Sequence, residues 1–145
     1  MAVSNIEMFD EITGKLFAKL YLQFPLPTYL TAEDFVSNAM HFDERLGMEV
    51  PTKEAEFFFA TGKWLMDAGY LTAKPHPYTS FSEAVLTAKG LEVLKAVPDS
   101  VSSKDSIGEQ LSSLAKEQGR EATKGLVTEA LALGARFISP MIGLS

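Results

Sequence analysis

Side chains able to do acid, base or metal chemistry are few here: two histidines and no cysteine. Without cysteine there is no thiolate to hold a metal or attack a substrate, and no disulfide. His41, with Asp43 and Glu44 close behind it, is the sole cluster of metal-ligand residue types. Its spacing matches no standard site, and a solvated loop accounts for it. His76 stands between Pro75 and Pro77, the setting of a turn residue rather than a general base. The carboxylate pairs Asp10-Glu11 and Glu33-Asp34 fall at helix starts or on solvated faces. The sequence holds no glycine loop ending in Gly-Lys-Ser/Thr, no Gly-x-Ser-x-Gly elbow and no His-Glu-x-x-His pair. It therefore predicts no enzyme, with no catalytic, cofactor-binding or metal residues.

Binding chemistry is the alternative, through cations on phosphates or apolar surface on a partner. Thirteen Lys and Arg stand against nineteen Asp and Glu, a net charge of −6. Within residues 1–97 the counts are eight and thirteen. A protein that neutralises several phosphates normally carries a basic face, and no run of this chain is basic. The DNA-contact candidates are Lys53, Thr61, Lys63, Lys74 and His76, and the helix that carries the first three also holds Glu54, Glu56 and Asp67. Phe57-Phe58-Phe59 and Trp64 cover more than one face of a helix, because consecutive residues lie about 100° apart. Either that helix is sandwiched between the first helix and a hairpin on one side and the C-terminal segment on the other, or some rings form a patch for a partner. The interaction candidates are Phe57, Trp64, Tyr78, Leu126, Leu133 and Phe137. Stacking on single-stranded bases would call for interleaved basic residues, which are sparse.

The elements that must position these residues are legible. Ser4-Asn5-Ile6-Glu7 has capping-box spacing, and Ile6, Phe9, Ile12, Leu16 and Leu20 follow a helical stripe, predicting a first helix over about residues 5–22. The Phe24-Pro25-Leu26-Pro27-Thr28 run forbids helix and suits a short edge strand. A second, shorter helix is expected from Thr31 to about Met40, and the connection His41–Pro51 is expected as an extra turn or an ordered loop. Thr52 can cap a third helix from Lys53, with Phe58, Leu65 and Ala68 in period and Gly69 as its left-handed stop. Tyr70–Ala73 and Phe81–Leu86 read as strands around a tip, Lys74–Tyr78, that proline keeps out of the ladder. Thr87 then caps a helix ended by Pro98.

That order, with the segments Trp64-Leu65-Met66-Asp67-Ala68-Gly69-Tyr70-Leu71 and Val85-Leu86-Thr87-Ala88-Lys89-Gly90-Leu91, resembles the winged helix-turn-helix superfamily over about residues 5–97. The resemblance implies a mainly α fold with a small β-hairpin, and a third helix and wing able to read DNA. A DNA-reading motif, however, joins its two helices by about 3–4 residues, and His41–Pro51 is longer.

Composition changes after Pro98. Residues 98–106 are polar and serine-rich, predicting a linker with a hinge. From Ile107 to Ser145 a helical segment is expected, with an apolar stripe through Leu111, Leu126, Ala130, Leu133 and Phe137, interrupted by Gly119 and Gly125. Small residues at four-residue spacing, Ala115 with Gly119 and Ala130 with Gly134, would let a second backbone come close. This segment either folds back on the first domain, residues 1–97, or pairs between subunits as a homodimer. A membrane role for the tail is the weaker alternative, since Glu129, Arg136 and Pro140 interrupt a spanning helix. An acidic N-terminus without a signal core and the lack of cysteine predict a cytoplasmic protein. The leading expectation is a non-enzymatic winged-helix-like module that self-associates and docks to another macromolecule. The alternative is a DNA-binding transcriptional regulator.

Overall fold

The computed structural model describes residues 4–98, 104–117 and 120–143. The described residues are mainly helical, beside a small antiparallel sheet. Helix α1 (Asn5–Gln23) starts at Ser4, whose hydroxyl accepts from the Glu7 amide while the Glu7 carboxylate accepts from the Ser4 amide. Strand β1 (Thr28–Thr31) follows the prolines and lies at a sheet edge, one step later than the proline run itself. Helix α2 (Ala32–Phe35) is a single turn, not a helix reaching Met40.

The expected loop at His41–Pro51 is instead a β-hairpin, β2 (Met40–Asp43) against β3 (Met48–Pro51). Asp43 closes its turn by accepting from the amides of Arg45 (2.9 Å) and Leu46 (3.2 Å), and Gly47 takes a positive φ of 67°. The ribbon is tied down at its base, where the Thr52 amide donates to Ala39 and the Thr52 hydroxyl to Asn38.

Helix α3 (Lys53–Asp67) begins as the sequence predicts, with Thr52 accepting from the Ala55 amide, and ends before Gly69 at φ 89°. Strand β4 (Leu71–His76) runs through Pro75, past the expected end at Ala73. It can do so because the sheet order is β1, β5 (Ser80–Leu86), β4, which makes β4 an outer strand where a missing donor disturbs no neighbour. Glu83, at φ 54°, forms a bulge in β5 that shifts its register against both neighbours. Thr87 caps α4 (Ala88–Lys95) through the Gly90 amide.

The C-terminal segment forms two helices, α5 (Ile107–Glu117) and α6 (Arg120–Gly143). Both pack on α1 and on α4. Ile107, Leu111, Leu126, Val127 and Ala130 are buried in the same core as Leu16, Phe17, Phe58 and Leu94. Helix α3 is thus covered by α1, α2 and β4, and the C-terminal helices lie against α1 and α4 rather than over α3 as the sandwich expectation had it. Residues 99–103 of the expected linker and hinge lie outside the described residues. Its flanks are joined, since the Ile107 amide donates to Ala96 at 2.9 Å.

Candidate functional site

The three consecutive phenylalanines of α3 diverge as helical geometry requires. Phe58 enters the core between Phe35 (5.4 Å, stacked) and Phe81 (5.7 Å). Phe59 turns to the sheet, stacking on Phe81 at 5.0 Å and meeting Tyr78 at 5.7 Å. Phe57 turns to α1. There a groove of about 390 Å³ opens between α1 and α3, lined by Asn5, Ile6, Phe9, Phe57, Ala60, Thr61 and Trp64. Trp64 meets Phe9 edge to face at 5.4 Å. Ile6 stays 59% exposed and Trp64 50%. This is apolar surface held open on two rigid helices.

Of the interaction candidates, Phe57 and Trp64 come together in this groove. Tyr78 stands in the turn between β4 and β5, 48% exposed over Phe59. Leu126 is buried in the core and Leu133 packs against it, so neither offers a free face, while Phe137 is 43% exposed on α6. Of the proposed small-residue contacts, Ala130 is buried and Gly134 lies against the Tyr70 ring of the same chain. Ala115 lies within α5, and Gly119 falls outside the described residues. Sequence reasoning missed Ile6 and Phe9 because their spacing matched the core stripe of the first helix. It also missed the exposed Phe42, Leu46 and Met48 on the ribbon, although Met40-His41-Phe42-Asp43 alternates with the period of a strand.

The DNA-contact candidates do not converge. Thr61 is buried beside the groove and donates its hydroxyl to the Phe57 carbonyl at 2.8 Å, so that hydroxyl is already engaged within α3. Lys74 pairs with Glu83 at 3.0 Å, and His76 shares a hydrogen bond with Ser82 at 2.9 Å. Lys53 and Lys63 stay on α3, whose outward face also carries Glu56 and Asp67. Among the described residues these four charges take part in no ion pair.

Among the described residues there is no group of three or more His, Cys, Asp or Glu that could hold a metal, and no helix long and apolar enough to cross a membrane. The ionisable groups shifted by folding lie away from the groove. Burial raises the Asp10 carboxyl, opposed in part by Lys124 and reinforced by Glu7. Burial also lowers the Lys89 ammonium and raises the Tyr70 hydroxyl. Lys89 donates to the Ala68 carbonyl at 2.6 Å and sits 4.5 Å from the Tyr70 ring centre, closing the end of α3. No protein-family model, curated protein or solved structure matches this chain.

Proposed function

We propose that this chain is a non-enzymatic, winged-helix-like interaction module of the cytoplasm that self-associates and docks to another macromolecule. The observation that carries the reading is the α1/α3 groove, where Ile6, Phe57 and Trp64 leave aromatic and aliphatic surface in water. Such surface on a water-soluble fold usually marks a contact with another chain. The occupant proposed for it is a second copy, because the adjoining face of α3 balances Lys53 and Lys63 against Glu56 and Asp67 and so complements itself. The sheet order β1-β5-β4, with three helices before the ribbon β4–β5 and α4 directly after it, supports the winged-helix-like scaffold. The inserted hairpin β2–β3 replaces the tight turn of a DNA-reading motif. Its exposed Phe42, Leu46 and Met48 stand among Asp43, Glu44 and Glu49, a surface suited to a basic, apolar segment of a further protein.

Light scattering over a wide concentration range tests the reading. A dimer mass is expected, and a monomer throughout rejects self-association. Exposed Lys53 keeps DNA binding as the second reading. A DNA titration at low salt separates the two: affinity that collapses as salt rises favours the regulator, and no binding favours the docking module.

A further inference from the structure

We infer that a second copy of this chain seats antiparallel along the outer face of α3, with a two-fold axis passing at Ala60. The inference rests on the self-association reading and adds its surface and register. Lys53, Ala60 and Asp67 recur at seven-residue intervals, so they form one stripe that drifts by only about 20° per heptad. Phe57 and Trp64 flank the stripe on the α1 side, and Glu56 and Lys63 flank it on the other. In an isologous pair centred on Ala60, each residue meets the one equally far beyond that point in the second copy. Lys53 then faces Asp67. On one flank Glu56 comes beside Lys63, and on the other Trp64 reaches Phe57 at the mouth of the groove.

The single chain carries an anomaly that this pairing removes. Lys53 opens α3 and Asp67 closes it, so each charge sits at the helix end whose partial charge has its own sign. Neither makes an ion pair among the described residues. The two-fold pair supplies each with an opposite charge, at both ends of the interface, and sets the two helix dipoles against one another. At the crossing point, exposed Ala60 has a side chain small enough for the helix axes to approach to about 8–10 Å. Net charge of −6 on each copy opposes association in general, but this face brings equal numbers of cations and anions together.

Sedimentation equilibrium of the full chain tests the register by charge exchange. Lys53→Asp and Asp67→Lys each put like charges opposite one another twice, and each is expected to weaken the dimer about tenfold or more. The double variant restores opposite pairs and is expected to return to within about threefold of the parent. Misfolding is a poor explanation for loss in the single variants, because an acid at the start of α3 and a base at its end both suit the helix dipole. The lack of cysteine allows a second measurement. Ala60→Cys places one thiol on the axis and is expected to oxidise to a covalent dimer much faster than Glu92→Cys, at an exposed position of α4. Single charge variants that dimerise like the parent, or equal crosslinking of the two cysteine variants, overturn the register while leaving self-association standing. A parent chain that is monomeric at every concentration removes the self-association reading as well.

Discussion

At the residue scale, Asp10 is held where its charge is disfavoured: it is 7% exposed on the side of α1 near Lys124. The folded chain holds the Asp10 proton more tightly than the unfolded chain does. It therefore binds more protons over a window opening at about pH 4, the ordinary aspartate value, and extending upward. The Asp10 contribution thus makes stability fall as pH rises through that window. Asp10→Asn is expected to raise the melting temperature at pH 7 and to flatten this fall. A lower melting temperature at pH 7 would show that attraction to Lys124 outweighs burial. Gly62 meets a different constraint, since a β-carbon there would run into the Phe81 ring. Gly62→Ala should cost about 1–3 kcal/mol in urea denaturation, the usual penalty for overpacking. The caps at Ser4, Thr52 and Thr87 were readable because a hydroxyl at a helix start has a local partner. The inward turn of Thr61 was not readable, because hydrogen bonding to Phe57 or pointing outward depends on what packs around α3.

At the element scale, the β2–β3 ribbon has the weakest hold on the rest of the fold. Two strands alone are marginal in water, and this pair is anchored mainly through Thr52. Thr52→Ala removes both the cap of α3 and the tie to Asn38 and is expected to cost about 1–2 kcal/mol. Thr52→Ser should recover most of it. Phe42→Ser combined with Met48→Ser should change stability by less than about 0.5 kcal/mol, because both side chains are already in solvent. A larger loss would place them in a contact within the chain. The helices α1 and α3 were legible to within a residue or two, since each has a cap, an apolar period and a breaker. The ribbon was missed because its strands are four residues long and its turn lies in a charged stretch. The passage of β4 through Pro75 became intelligible once the strand proved to lie at the edge of the sheet.

At the scale of the whole molecule, α5 and α6 contribute to the same core as the helices and sheet before them. The Tyr70 hydroxyl donates to the Leu131 carbonyl at 3.3 Å, and Gly134 lies on the Tyr70 ring. A shared core favours one cooperative transition. Far-ultraviolet circular dichroism, which weighs all the helices, and Trp64 fluorescence, which reports the α1/α3 groove, are expected to lose signal at the same urea concentration. Separate midpoints would show that the C-terminal helices melt apart from the rest. Local sequence signals determined most of the mainly helical character, the ends of α1 and α3, and the presence of β4 and β5 though not the end of β4, because caps, breakers and apolar period act within a few residues. Tertiary structure decided which side of each helix met water. Whether Leu126 faces the core, whether Trp64 stays half exposed, and whether Lys53 and Asp67 make ion pairs among the described residues all depend on elements far away in the chain, whose positions no local pattern encodes.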